Sequence, residues 1–305
     1  MTTSVRYSLG INTSFAVKRW PEPERWAQLI QDLEIDVVQH TLDLVDLDGP
    51  LDYIASQAEA VRAACEDRGL LLHSTFTGLA AYSSNLLLHP QPRSRESAED
   101  WYGRAIDFTS RAGAQVTGGH IGAFSVSDWR HAERKSELED ELQTALTRLT
   151  RYARTRGLSC LLVENMAAAR EPSTMDWIRQ LIRERDDDHV SVALCLDVGH
   201  QCVVGTEGAE RDPYAWLERL GAAAPVVHLQ QTDEGADHHW PFTAEANANG
   251  RIHPDEVLAA LDRSGATEVA LILEVVPSFE EDDDLVLADI AASVDLWKDA
   301  LSRHA

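Results

Sequence analysis

Four apolar runs in the second half of the chain each end in a side chain that can hold a metal ion. They read Leu161-Leu162-Val163-Glu164, Ala193-Leu194-Cys195-Leu196-Asp197, Pro225-Val226-Val227-His228 and Ala270-Leu271-Ile272-Leu273-Glu274. One charge at the end of an apolar run means little. Four at comparable positions of successive runs point to one shared site. Three carboxylates brought together repel one another and resist ionising unless a cation sits among them. Three oxygens and one imidazole nitrogen make a mostly hard donor set, suited to Mn²⁺, Mg²⁺ or Co²⁺ rather than to a thiolate-rich zinc site. One divalent ion is expected. Asp197-Val198-Gly199-His200 adds a second imidazole just past its run. It is placed to touch substrate or to support the ligands; a solvent-facing loop histidine is the plainer alternative. His73 and His120 close two earlier runs. They line the same mouth, or they are polar residues with partners of their own.

The elements that must position these side chains alternate along the whole chain. Strand-like runs cover 7–12, 36–39, 70–74, 115–121, 159–164, 191–197, 225–229 and 268–275. Helical runs cover 24–33, 52–68, 95–112, 126–156, 174–185, 213–220, 254–263 and 280–301. Strands alternating with helices make a parallel sheet. Eight such pairs suit a closed (β/α)8 TIM barrel in one domain over residues 1–305, of fold class α/β. In such a barrel the strand C-termini carry the chemistry, and Glu164, Asp197, His228 and Glu274 all fall there. Gly69, Gly113, Gly157 and Gly265 each stand just after a helical run, where glycine relieves a left-handed cap. Ser173 and Asp212 are expected N-caps. The stretch from His228 to Pro254 shows no clear period and reads as a lid on the active face.

The formal net charge of −24 argues against nucleic acid, whose affinity rests on Lys and Arg meeting phosphates. It leaves room for a small anionic substrate met by one local cation. The acidic run Glu280-Glu281-Asp282-Asp283-Asp284 reads as the solvated start of the last helix, favoured there by the helix dipole. No apolar run approaches the ~20 residues of a membrane span. The first residues lack the apolar core of a signal peptide. Cys65, Cys160, Cys195 and Cys202 show no CxxC spacing. A cytoplasmic protein with reduced thiols is expected.

The glutamate of strand five, the Asp-x-x-His of strand six, the histidine of strand seven and the glutamate of strand eight resemble the xylose-isomerase-like TIM barrels. Within that group they are most similar to the ketose 3-epimerases of the D-tagatose 3-epimerase type. The resemblance implies that Glu164, Asp197, His228 and Glu274 bind the metal, Mn²⁺ first among the candidates, and that His200 contacts substrate. Ser8-Leu9-Gly10-Ile11-Asn12-Thr13, His228-Leu229-Gln230-Gln231-Thr232-Asp233 and His239-Trp240-Pro241-Phe242 are similar to a branch associated with erythrulose-phosphate 3-epimerases. Two positions depart from the free-ketohexose pattern. Arg170 stands where a glutamate is expected, and Glu234 where an arginine is. A phosphorylated or shorter ketose would explain both.

The implied reaction inverts C3 of a ketose or small ketose phosphate through a cis-enediolate. Glu164 and Glu274 serve as the two acid–base groups on opposite faces. His200, Arg170, His239, His120, His73 and Trp240 are the candidate substrate contacts. Lys18, Arg19 and His238 are further basic candidates for the far end of the substrate. Phe15, Trp20, Phe76, Trp240 and Phe242 are candidate walls, or core. Two rivals use the same residues. One is an aldose–ketose isomerase. The other is an endonuclease IV-like phosphodiesterase with three zinc ions, which the acidic charge opposes. The resemblance also implies a homo-oligomer, dimer or tetramer, acting on a small molecule.

Overall fold

The computed structural model describes residues 5–183 and 188–304. Eight parallel strands close on themselves in chain order: β1 (Arg6–Asn12), β2 (Val37–Thr41), β3 (Leu71–Phe76), β4 (Val116–Gly119), β5 (Cys160–Glu164), β6 (Ser191–Asp197), β7 (Val226–Leu229) and β8 (Glu268–Leu273). The ring is sealed by β1, which pairs with both β2 and β8. Around it run α1 (Pro23–Asp32), α2 (Leu51–Arg68), α3 (Pro92–Ala112), α4 (Val126–Arg130), α5 (Ala132–Thr155), α6 (Met175–Leu181), α7 (Pro213–Leu220), α8 (Ala244–Asn249), α9 (Pro254–Ser264) and α10 (Asp283–His304). This is the (β/α)8 barrel that the alternation of runs predicts.

The strands read as near-continuous apolar runs because both faces are covered. Inside the barrel Val37, Phe76, Leu162, Val226 and Ile272 pack with Cys160 and Cys195. Outside it a larger core, with Trp26, Phe108, Trp216 and Trp297, fills the layer between strands and helices. All four cysteines are buried and free. One contact depends on glycine outright. Gly118 has φ +148°, and a Cβ there would stand 2.0 Å from the Leu162 carbonyl oxygen, so β4 and β5 approach this closely only without a side chain.

Several boundaries differ from the sequence reading. The helix expected over 126–156 is two, broken at His131, whose φ −113° and ψ 103° are extended. The break follows a short helix capped by the Ser125 hydroxyl, and neither Pro nor Gly marks it. The cap of α6 is Thr174, which accepts from the Trp177 amide, and not Ser173. That helix ends at Leu181, and residues 184 and 185 of its expected extent lie outside the described residues. Asp212 caps α7 as expected, accepting from the Tyr214 amide at 2.9 Å. Gly69, Gly113 and Gly265 take positive φ past α2, α3 and α9. The acidic run does start a helix: Asp282 accepts from the Asp284 and Leu285 amides at 3.0 and 3.1 Å. The stretch after His228 is not structureless. Gln231 and Trp240 form an antiparallel bridge, and α8 follows. Among the described residues no helix is long and apolar enough to cross a membrane.

Candidate metal centre

β5 and β6 end in Glu164 and Asp197, His228 is the next-to-last residue of β7, and Glu274 lies one residue beyond β8. The Glu274 amide still donates to the Leu229 carbonyl at 2.9 Å, which holds it at the strand-end level. The register sets Asp197 beside His228. One ligand-capable atom from each of the four lies within 4.8 Å of the others. Glu164, Asp197 and His228 are 0% exposed and Glu274 is 6% exposed. Each also offers an atom with no hydrogen-bond partner in the protein: Glu164 Oε1, Asp197 Oδ2, His228 Nδ1 and Glu274 Oε2. His228 Nδ1 is 2.7 Å from Glu274 Oε2 and 3.6 Å from Glu164 Oε1, yet aligned for a hydrogen bond with neither. Buried polar atoms without partners are costly and rare. Four converging ones, three oxygens and a nitrogen, fit a divalent cation.

The electrostatics agree. Burial raises the Asp197 carboxyl above its ordinary range, against the pull of His200. At Glu274 burial is outweighed by the adjoining His228, and the carboxyl is lowered. At His228 burial is outweighed by the Cys195 sulfur and Glu274, and the imidazole is raised well above the usual value. Charged imidazole thus balances the carboxylates. A bound divalent ion would take over that charge and require the ligand nitrogen to be bare.

The first half of the barrel orients this cluster through neutral groups. Gln39, from β2, donates from Nε2 to Ser74 Oγ at 3.1 Å, so its oxygen faces the centre. That oxygen accepts from Asn12 Nδ2 and meets His228 Nε2, each at 2.7 Å. His228 therefore donates from Nε2 and leaves Nδ1 available as a ligand, the outer-partner arrangement metal-binding imidazoles use. Asn12 also donates to Glu274 Oε1 at 3.2 Å. Asn165 braces β6: it donates to the Asp197 carbonyl at 3.0 Å and accepts the Asp197 amide at 2.8 Å. Its own carbonyl takes His200 Nδ1 at 2.6 Å. A Cβ at Gly199 would lie 2.3 Å from the Gln230 side chain, so any larger residue in the Asp-x-Gly-His turn would push Gln230 aside.

Beside the cluster lies a second group. Asp197, His200 and His239 also offer atoms within 4.8 Å of one another. Asp237 stands between the two imidazoles, 3.2 Å from His200 Nε2 and 3.4 Å from His239 Nε2. Burial opposes charge on His239, but Asp237 prevails and its pKa is pushed up to about 9. Over the centre, Tyr82 donates to Glu164 Oε2 at 2.7 Å and stacks on the His120 ring at 5.0 Å. Burial pushes His120 down to about 4.

His200, His239 and His120 are thus brought to the mouth. His73 is not, a correction to the sequence reading. β3 runs on to Phe76, which leaves His73 in mid-strand, near Glu268 at the opposite end of the barrel. Nor does Arg170 enter the cluster: it is exposed and donates to the Phe124 carbonyl at 2.6 Å. Its neighbour Glu171 is the half-buried group within range of His200, its carboxyl pushed up to about 7 by burial. Trp240 stacks on His238 at 3.8 Å and borders an adjoining hollow of about 280 Å³, shared with His239 and Val276. Arg19 is engaged with Asp283 and the Ser278 and Glu281 carbonyls, and Lys18 lies over the Phe279 ring. Phe76 packs on His228 at 4.5 Å, whereas Phe15 and Phe242 belong to the outer core. Sequence reasoning missed Asn12, Gln39, Asn165 and Tyr82. Asn12 ends β1 as Glu164 ends β5, so the strand-end rule would have found it. Tyr82 sits in a loop with no such signal.

Residues 26–297 match the family model described as xylose isomerase-like TIM barrel. The chain is 26% identical over 300 residues to a D-erythrulose 1-phosphate 3-epimerase of Brucella abortus (strain 2308), with 95% of each covered. It is 34% identical to a crystal structure from Rhodospirillum rubrum ATCC 11170, assigned only provisionally as a xylose isomerase; the TM-score is 0.89, over 96% of this chain and 99% of that one. The D-psicose 3-epimerase of Clostridium cellulolyticum H10 shares the fold, at 15% identity and a TM-score of 0.68, over 96% and 99% of the two chains.

Proposed function

The chain belongs to the xylose isomerase-like TIM barrel family, and from that premise we propose that it is a metal-dependent epimerase inverting C3 of a ketose or small ketose phosphate. The observation that carries this reading is the meeting of two glutamates from strands three apart, Glu164 and Glu274, at one four-residue centre. The relative named for C3 epimerisation of a ketose phosphate, similar over 95% of both chains, supports it. Glu164, Asp197, His228 and Glu274 would hold the ion, with Mn²⁺ the favoured metal for such a donor set. When bound, a divalent cation supplies Lewis-acid stabilisation of the negative charge that develops on the oxygen beside C3.

The rest falls to the protein's own groups. One glutamate takes the C3 proton and leaves a planar enediolate. The other returns a proton to the opposite face. Glu164 keeps Oε2 for this task, and Glu274 keeps Oε1, the oxygens turned away from the four-atom centre. Positioned groups of this kind contribute about 10²–10⁴-fold each. His200 Nε2, buried and without an aligned partner, faces the same space and contacts the substrate. The hollow beside Trp240 receives the substrate's far end.

The test follows the C3 proton. In deuterated solvent with Mn²⁺, the wild type exchanges that proton and yields the epimeric ketose, while Glu274→Gln does neither. Near-normal exchange by Glu274→Gln would end the two-glutamate scheme. An aldose as product would assign the same centre to aldose–ketose isomerisation.

A further inference from the structure

Tyr82 takes no part in the scheme above, yet its hydroxyl donates to one of the scheme's carboxylates, Glu164, at 2.7 Å. Glu164 is wholly buried, and the hollow that reaches Glu274, bordered by Thr41, Asp43, Thr77, Tyr82 and His239, is about 10 Å³. That is the space of roughly one water. A four-carbon ketose does not fit, so a bordering segment has to move before substrate can reach Glu164 and Glu274.

The bordering segments are not held alike. The loop after β7 is pinned by paired backbone bonds between Gln231 and Trp240, at 2.9 and 3.0 Å, and by Phe242 against Trp297. The turn after β3, Leu79–Ser83, has no buried residue. Side chains fasten it at three places. The Asp43 carboxylate accepts the Leu79 and Ala80 amides at 2.6 and 3.1 Å. Asn85 donates to the Ala123 carbonyl at 2.6 Å. Tyr82 donates to Glu164. Backbone bonds hold only its far end, where Leu86 bridges Gly122 and the Ala123 amide donates to the Asn85 carbonyl at 3.2 Å.

We propose that residues 78–85 form a lid whose seal is the Tyr82 hydroxyl, bound to the Glu164 oxygen that must receive or return the C3 proton. The sealed form has no room for substrate. The hydroxyl gives up Glu164 Oε2 when the lid lifts, and the ketose then takes that place. The substrate clause rests on the epimerase reading; the lid itself does not.

A population argument gives the test its sign. Apparent affinity is the intrinsic affinity reduced by the fraction of molecules open to substrate. Tyr82→Phe keeps the ring on His120 and removes only the seal. Two measurements are made on the full-length protein with Mn²⁺. In the first, without substrate, the Leu79 and Ala80 amides exchange about tenfold faster in Tyr82→Phe. Their bonds to Asp43 are untouched, and the β5 amides exchange at the wild-type rate. In the second, KM for the ketose falls by a similar factor while kcat holds, the opposite of what a merely damaged site would show. Wild-type exchange at Leu79 and Ala80 overturns the lid, and so does faster exchange with KM unchanged or raised. If the wild type turns over no ketose, the epimerase reading fails alone, and the amide exchange still decides the lid.

Discussion

The two halves of the barrel mouth are built from different chemistry. Strands β5 to β8 supply Glu164, Asp197, His228 and Glu274, all able to carry charge. Strands β1 to β3 supply Asn12, Gln39 and Ser74, all neutral. Charge on the first half as well would add repulsion among groups that already strain against burial. Amides and hydroxyls can instead fix direction without adding charge. The line from Ser74 through Gln39 to His228 shows how. A hydroxyl sets an amide, the amide sets a tautomer, and the tautomer bares the nitrogen a cation needs. On the proposed reading one half binds the cation, and the other decides how the binding half points.

If that division is right, the largest effect belongs to the charged half. Asp197→Asn keeps the volume and the oxygen that accepts from the Gly199 amide, but removes one charged ligand. Its Mn²⁺ affinity should fall by more than about 100-fold, beyond the 10–100-fold typical of outer partners. Titration calorimetry measures this. The metal-free variant should not melt earlier than the wild type, since one of three crowded carboxylates is gone. An unchanged Mn²⁺ affinity would mean that these four residues are not the binding half at all.

The next effect concerns pH without metal. His239 has its pKa raised to about 9, and His200 and His228 are also raised, so each is protonated more readily in the folded state than in the unfolded chain. Their contribution to stability is complete below about pH 6.5; that of His239 is lost as pH rises through about 9, and those of His200 and His228 as pH rises through their own raised values. For His239 alone the loss is about 3 kcal/mol. Urea midpoints in chelator should therefore decline from pH 6.5 to 9.5. With saturating Mn²⁺ the decline should be smaller, because the ion supplies the positive charge among the carboxylates. A metal-free protein equally stable at both ends of that range would show that imidazolium is not what balances the charged half.

A smaller effect tests the neutral half. Gln39→Met keeps the length of the side chain and removes both the acceptor for His228 Nε2 and the donor to Ser74. Mn²⁺ affinity should drop about 10–100-fold, less than for Asp197→Asn. A drop as large as that of Asp197→Asn would erase the distinction between binding and orienting halves.

The same division explains what the sequence could disclose. A glutamate at the end of Leu161-Leu162-Val163 stands out, since an ionisable group at an apolar strand end needs a reason. Strand–helix alternation made the barrel equally visible. Gln39 in Val37-Val38-Gln39-His40-Thr41 is no signal of that kind, because a buried amide is satisfied by any well-placed partner. Its role exists only once β2 and β7 face each other across the barrel, 189 positions apart in the chain. His73 failed for a local reason: the strand continues through Ser74-Thr75-Phe76, where hydroxyls looked like its end. Arg170 was read one position from the half-buried Glu171, since loop residues follow no period that fixes which side chain turns inward.

The smallest effect separates neutral groups that orient the ligands from neutral groups that only tie strands to the helix layer. Thr75 Oγ1 meets Thr109 Oγ1 at 2.6 Å and Thr117 Oγ1 at 2.7 Å, and Thr109 donates to the Ala105 carbonyl. That network ties β3 and β4 to α3 and makes no bond to His228 or the carboxylates. Thr117→Val preserves shape and removes one hydroxyl from it. It should cost about 1 kcal/mol, the usual worth of a buried hydrogen bond, or a melting shift of about 2–4 °C. Mn²⁺ affinity should stay at the wild-type value, because nothing in the chain from Ser74 to His228 has changed. If affinity fell along with stability, orientation would belong to the neutral half as a whole and not to the single line through Gln39.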